Sequence, residues 1–327
     1  MRLLVIGNDD RFEKFLPELE VVGKVQCTGV PRGTPDDEII AAASDAEIIL
    51  ADAIQPVSEK LISALPNLKL IHSEGVAYNA IDLDAARRRG VVVCNCKGAN
   101  AEPVAEQAVL LMLACLRDVV NGDAAVRDGR QIQTKERLMV EGIRELSECK
   151  VGFVGAGDTA QATMMRLANW GCEMAYFKRS RLSLEKEETL GAHFEPLDEL
   201  LASSDIISLH VPVTDDTINM VNDAFLAAMK PGSILINTAR GEIVDSRALG
   251  DALVSGHLSA AGLDTLYPEP VTVDNILLNL PGDASKRVVF SPHVAGITTG
   301  TFHRIHQIVW GNIARVMAGE QPINIVS

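Results

Sequence analysis

The sequence predicts an α/β protein built from doubly wound parallel sheets, and three observations carry that reading. Short apolar runs alternate with helical patterns almost from end to end, which is how parallel strands joined by crossover helices read. Most of these runs are uniformly apolar, as strands covered on both faces must be. A glycine-rich turn also stands between one such run and a helix, in Val151-Gly152-Phe153-Val154-Gly155-Ala156-Gly157-Asp158-Thr159-Ala160. At 327 residues the chain exceeds the size at which one core stops growing, so two domains are expected.

Taken in order, Leu3-Leu4-Val5-Ile6-Gly7 directly follows Met1 and reads as a first strand. It lacks the basic start, longer apolar stretch and small-residue cleavage site of a signal peptide. Further strands are expected at Glu47-Ile48-Ile49-Leu50, Leu68-Lys69-Leu70-Ile71 and Val91-Val92-Val93, with helices over 81–90 and 102–116. Arg87-Arg88-Arg89 forms a cationic last turn that suits the helix dipole, and Gly90 closes it. Cys94 and Cys96 alternate on the strand that follows and are expected on opposite faces. From 121 to 149 the alternation gives way to a polar stretch that reads as an arm or a domain joint. A second series begins at Lys150, with strands at Val151-Gly152-Phe153-Val154, Ile206-Ile207-Ser208-Leu209 and Ser233-Ile234-Leu235-Ile236 and helices over 160–171 and 246–256.

Composition narrows the function. With 47% hydrophobic and 23% charged residues the chain is ordinary globular material. The 30 Lys+Arg against 44 Asp+Glu leave a net charge of -14, which repels nucleic acid and anionic bilayers but says nothing against a small acid bound by local donors. The 6 cysteines show neither a Cys-x-x-Cys pair nor a disulfide spacing, and Glu106 and Gln107 break the most apolar stretch well short of the ~20 residues that span a bilayer. A cytoplasmic protein is expected. His303 and His306 stand at i, i+3 without an evident third ligand, so no metal is expected.

In the turn after Val154, Gly155 permits the sharp bend, Gly157 lets backbone approach a pyrophosphate, and the small Ala160 lets helix and strand pack closely. An NAD site carries a carboxylate about 20 residues on, for the ribose hydroxyls. This chain instead reads Ala175-Tyr176-Phe177-Lys178-Arg179-Ser180-Arg181. Cations and a hydroxyl there suit a 2'-phosphate: Arg179 as a fork or adenine stack, Ser180 as a donor, Lys178 or Arg181 for added charge. NADP is therefore preferred over NAD.

Three later segments place polar residues after apolar runs, on the side of an open sheet where ligands bind. They are Ile236-Asn237-Thr238-Ala239-Arg240-Gly241, Gly262-Leu263-Asp264-Thr265-Leu266-Tyr267-Pro268-Glu269-Pro270 and Phe290-Ser291-Pro292-His293-Val294-Ala295-Gly296. With the glycine turn, Asn79-Ala80-Ile81-Asp82-Leu83, Arg89-Gly90-Val91, Ala105-Glu106 and Asp205-Ile206-Ile207-Ser208-Leu209-His210-Val211-Pro212-Val213-Thr214, they resemble the D-isomer-specific 2-hydroxyacid dehydrogenase family over nearly the whole chain.

The resemblance implies Arg240, Glu269 and His293 as catalytic residues. Arg240 would bind the substrate carboxylate and polarise the carbonyl. His293 would pass a proton to the carbonyl oxygen, and Glu269 would favour the imidazolium and fix the ring. Amides of Gly75, Val76 and Ala77 would hold the carboxylate, with Ala77 standing where relatives often carry glycine. Cofactor contacts are implied at Gly155, Gly157, Asp158, Thr159, Ala160, Lys178, Arg179, Ser180, His210, Val211, Pro212, Thr217, Thr238, Ala239, Arg240, Asp264, His293 and Gly296. Thr159 and Ala160 would face the pyrophosphate, Thr238 and Ala239 the nicotinamide ribose, Asp264 and Gly296 the nicotinamide end.

The same resemblance implies two Rossmann-like domains with the active-site cleft between them: a discontinuous substrate domain, 1–99 plus 295–327, and a dinucleotide-binding domain, 100–294. An arm near 118–149 would make a homodimer, although a tryptophan common in that arm is absent. Phosphoglycerate dehydrogenases of this framework often carry Arg where this chain reads Leu50-Ala51-Asp52-Ala53. Asp52 would disfavour a second anionic group, which points to a monocarboxylate such as glyoxylate, hydroxypyruvate or pyruvate and to a glyoxylate or hydroxypyruvate reductase type. Corepressor-like dinucleotide sensors and relatives acting on 3-phosphoglycerate or formate remain the alternatives.

Overall fold

The structure, a computed structural model, describes residues 1–326. The chain divides into two compact units, Met1–Asn100 joined by the C-terminal segment from Ile297, and Ala101–Gly296.

In the first unit five strands, β1 (Arg2–Gly7), β2 (Gln26–Pro31), β3 (Ile48–Ala51), β4 (Leu70–Ser73) and β5 (Val92–Cys94), form a parallel sheet in the order β2-β1-β3-β4-β5. The alternating side chains of β1 explain the layers. Leu3 and Val5 face Ile305, Val309, Trp310 and Ile313 of the helix Thr299–Met317, whereas Leu4 and Ile6 join Ile39, Leu61, Ile62, Ala85 and Ala86 from three helices on the other face. Each fully buried aliphatic chain in these layers contributes about 1.5–3 kcal/mol of transfer free energy. β2 escapes the apolar-run reading because it is an edge strand with mostly exposed side chains. Cys94 and Cys96 lie in one core cluster, not on opposite faces. Residues two apart along an extended chain share a face, which is why both side chains reach the same core.

The second unit holds β6 (Lys150–Val154), β7 (Glu173–Phe177), β8 (His193–Phe194), β9 (Ile206–Leu209), β10 (Ser233–Asn237), β11 (Leu258–Leu263) and β12 (Val288–Phe290), all parallel, in the order β12-β11-β10-β9-β6-β7-β8. Strand order reverses at β6, which pairs with β7 on one side and β9 on the other. The crevice outside such a reversal is where doubly wound sheets take their ligands. Val151 and Phe153 pack in one layer and Val154 in the other, as the uniformly apolar run predicts. The polar stretch read as an arm is helical, over Val119–Arg127 and Gln131–Glu141, and the second of these helices buries none of its residues. Among the described residues no helix is long and apolar enough to cross a membrane.

Candidate active site

The glycine turn is built as the sequence demands. Gly155 has φ 101°, and a Cβ there would meet the His210 carbonyl oxygen at 2.5 Å, so glycine alone fits. Gly157 caps the helix Asp158–Leu167 without a side-chain hydrogen bond, and a Cβ built on it meets nothing within 4 Å. An open helix N-terminus with unshielded amides fits a pyrophosphate. Ala160 is fully buried against the β6 layer, which is the close helix–strand packing expected of a small residue. Asp158 is exposed on the first turn, and Thr159 Oγ1 lies 3.2 Å from His210 Nδ1. Ser208 Oγ holds the other ring nitrogen of His210 at 2.9 Å, and burial pushes this imidazole down to about 4.

Beyond β7 the basic turn separates into free and engaged cations. Arg179 is 86% exposed, with Asp216 at 4.0 Å as its one ion-pair partner among the described residues, and Ser180 is exposed beside it. Lys178 is half-buried. Arg181 is not available for a phosphate: its Nε and Nη2 donate to the two oxygens of Glu187 at 2.8 and 2.7 Å, and Tyr176 adds a third bond at 2.7 Å. Arg181 and Tyr176 hold the Glu187 carboxyl down to about 2. The added charge expected from Arg181 is therefore consumed inside the protein. Past β9, the Thr217 hydroxyl donates to Pro212 O and accepts from Thr214 N, both at 2.7 Å, so its side chain shapes the loop that follows His210, Val211 and Pro212.

Three neighbouring strands, β10, β11 and β12, deliver Arg240, Glu269 and His293 from their carboxyl ends. Asn237 at the end of β10 accepts from Ala239 N at 3.0 Å and donates to Arg240 O at 2.9 Å, which fixes the turn. Thr238 Oγ1 is buried without a partner, a polar atom that a ribose hydroxyl would satisfy. Arg240 donates from Nη1 to Ala239 O at 2.7 Å and has no carboxylate partner among the described residues. Its guanidinium is free to bind an external anion. Gly241 packs on the backbone of Leu266 and Tyr267 so closely that a Cβ would come within 2.2 Å, and this joins the Arg240 turn to the segment bearing Glu269.

Asp264, 2% exposed, holds the histidine turn. It takes the Ser291 hydroxyl, Val294 N at 3.1 Å and Ala295 N at 3.0 Å, while its carbonyl receives His293 N at 2.9 Å. Both carboxylate oxygens are committed to protein, so its side chain acts through the turn that carries His293 and leads to Gly296. His293 Nδ1 lies 2.7 and 2.8 Å from the two oxygens of Glu269. Nε2 is left without a partner among the described residues, so the ring can exchange a proton there while the carboxylate steadies it.

In the first unit, Gly75-Val76-Ala77 follows β4. Its carbonyls are taken by Cys96 N at 2.8 Å, Asn95 Nδ2 at 2.7 Å and Ser73 Oγ at 2.6 Å. The Gly75 amide points to Cys96 Sγ, whereas the Val76 and Ala77 amides have no partner among the described residues and remain as donors suited to a carboxylate. Asp52, read in the sequence as a bare acid, is paired with Arg11 at 2.9 Å. Sequence reading missed Arg11, Glu74 and the partner of His306. His306 bonds Glu74 at 3.1 Å, whereas His303 packs edge-on to Phe15 with ring centroids 5.1 Å apart. The sequence signal that could have found this cluster is a glutamate, Glu74, directly before the Gly75-Val76-Ala77 turn.

A family model described as the NAD binding domain of D-isomer specific 2-hydroxyacid dehydrogenases matches residues 109–295, which indicates a nicotinamide cofactor. A glyoxylate reductase of Thermococcus litoralis is 33% identical over 318 residues, 96% of this chain and 94% of that protein. A D-3-phosphoglycerate dehydrogenase of Mycobacterium bovis is 35% identical over 288 residues, 88% of this chain but 52% of that protein. Among solved structures, the D-lactate dehydrogenase of Aquifex aeolicus complexed with NAD and lactic acid aligns over 100% of this chain and 99% of its own, with a TM-score of 0.84 and 27% identity. The chain belongs to the D-isomer specific 2-hydroxyacid dehydrogenases.

Proposed function

We propose that this dehydrogenase reduces a small 2-oxo monocarboxylic acid, glyoxylate or hydroxypyruvate foremost, to the D-2-hydroxy acid, with NADPH preferred over NADH. The observation that carries the reading is the bond pair between His293 Nδ1 and Glu269, which leaves Nε2 open, while Arg240 on the turn after β10 has no carboxylate partner among the described residues. Arg240 binds the carboxylate and draws electron density from the carbonyl, a task its planar, permanently charged fork performs better than lysine. The unpartnered amides of Val76 and Ala77 in the first unit are a second set of donors suited to a carboxylate. His293 delivers a proton from Nε2 to the carbonyl oxygen and recovers one in the oxidative direction. Glu269 stabilises the charged ring and holds its orientation. A nicotinamide held at the Gly155–Gly157 turn would supply or accept the hydride.

Support for NADP comes from the exposed Arg179, paired only loosely with an equally exposed Asp216, from the exposed Ser180, and from Phe177 in place of an acidic strand end. Support for a homodimer comes from the helix Gln131–Glu141, which buries nothing of its own while exposing Ile132, Met139 and Val140. The test is oxidation of NADPH and NADH against glyoxylate, hydroxypyruvate, pyruvate and bulkier 2-oxo acids. Turnover of a small monocarboxylate with at least tenfold better efficiency for NADPH is expected. Failure with every acid would overturn the activity, and equal use of the two cofactors would overturn the preference. In His293→Ala, turnover is expected to fall by about 10²–10⁴, with NADPH still bound.

A further inference from the structure

The sheet of the first unit reverses strand order between β1 and β3, and a charge cluster stands over the carboxyl ends at that reversal. A Cβ on Gly7, the last residue of β1, would lie 3.6 Å from Arg11 Nη2, 3.9 Å from Asp52 and 3.9 Å from Glu74. Arg11 Nη2 donates to Asp52 Oδ2 at 2.9 Å and also to Glu74 Oε2. The second oxygen of Glu74 faces His306 Nε2, and Arg32 approaches Asp52 at 3.9 Å. Glu74 directly precedes Gly75, and a Cβ on Gly75 would touch that of Ala53 at 2.7 Å, so cluster and amide turn share the same strand ends.

The donors of Arg11 are unevenly used. Among the described residues, Nη2 is saturated, Nε is buried without an acceptor, and Nη1 has no partner yet is not sealed from solvent. His306, fully buried, likewise leaves Nδ1 without a partner. A guanidinium flanked by two carboxylates is a weak counter-ion, because its charge is already neutralised. It remains a good donor to an uncharged oxygen.

We propose that Arg11 determines substrate choice by donating from Nη1 to a hydroxyl oxygen on carbon 3 of the substrate, so that 3-hydroxy-2-oxo acids are preferred. Asp52 and Glu74 are the residues that stop the same arginine from accepting a second carboxylate or a phosphate. The proposal rests on the 2-oxo acid reductase reading above and selects within it. Hydroxypyruvate and pyruvate differ only by that hydroxyl, so their efficiency ratio reads the contact directly.

The experiment measures kcat/KM for hydroxypyruvate, pyruvate and oxaloacetate in the unaltered enzyme and in Arg11→Met, Arg11→Lys, Asp52→Asn and Glu74→Gln. The unaltered enzyme is expected to favour hydroxypyruvate over pyruvate by about ten- to a hundredfold, and Arg11→Met to bring the two within threefold. Arg11→Lys keeps a cation among the carboxylates, and its ratio is expected to fall between those two. Asp52→Asn and Glu74→Gln preserve shape while removing one negative charge, and each is expected to raise oxaloacetate at least tenfold relative to hydroxypyruvate. Equal efficiencies in the unaltered enzyme, or equal losses on both acids in the Arg11 variants, would overturn the proposal while the reductase reading stands. An unchanged oxaloacetate ratio in both carboxylate variants would overturn the charge-compensation argument. If no acid of this set or glyoxylate turns over at all, the reductase reading itself fails.

Discussion

Glu269 engages His293 Nδ1 with both carboxylate oxygens, at 2.7 and 2.8 Å, although its own side chain is 56% exposed. A carboxylate reached from a loop, and not from a buried strand, can steady an imidazolium without the cost of burying two charges. Glu269→Gln keeps an acceptor near Nδ1 but removes the charge. Its kcat is expected to fall by about tenfold or more, following the loss of a charged hydrogen-bond partner, while the KM for NADPH stays within twofold. An unchanged kcat would show that the charge is not used.

Arg240 has no carboxylate partner among the described residues, so its donors are available for substrate. Arg240→Lys retains charge but not the fork. Steady-state kinetics should show kcat/KM lower by about 10²–10³, the loss associated with one preorganised transition-state donor. Retention of more than half the activity would remove Arg240 from the proposed role.

Arg179 and Arg181 are two residues apart and should fail differently. Arg179→Ala is expected to weaken NADPH binding by about tenfold, the worth of a charge-assisted bond, with NADH binding little changed. Arg181→Ala strips Glu187 of its bidentate partner and should lower thermal stability instead. Fluorescence titration with each cofactor and a melting curve separate the two, and a selective NADPH defect in Arg181→Ala would contradict this division.

His72 is sealed in the first unit, where Asn312 donates to Nε2 at 3.0 Å and Nδ1 donates to Ser73 O at 2.9 Å. That arrangement suits the neutral ring, and burial pushes its pKa down to about 4. An unfolded histidine titrates near ~6.5, so between that pH and about 4 the unfolded chain takes up a proton that the native one refuses. Stability from His72 is complete above the unfolded value and declines toward acid, by roughly 1.4 kcal/mol per pH unit. Urea midpoints measured from pH 7 to 4.5 should fall, and less steeply in His72→Gln. Equal slopes in the two proteins would rule this source out.

Much of the fold was legible because two-sided burial writes itself as uninterrupted apolar runs: β1, β3, β6, β9 and β10 all come from such runs. The edge strands β2 and β8 left no comparable mark, since half-solvated strands need no apolar run. The polar stretch after 118 concealed two helices because neither buries much of its surface within this chain.

By itself the sequence determined the α/β class, the glycine turn, and which strand ends carry Arg240, Glu269 and His293. These follow from local order: a strand, a turn residue, then a polar side chain. Only the tertiary structure decided how the charges pair. It committed Arg181 to Glu187, closed Asp264 around the histidine turn, and brought Arg11, Asp52, Glu74 and His306 together over one sheet end. Those partners lie tens to hundreds of positions apart or on opposite sides of a turn, and a charge's role depends on what neutralises it. Spacing along a chain carries no record of that.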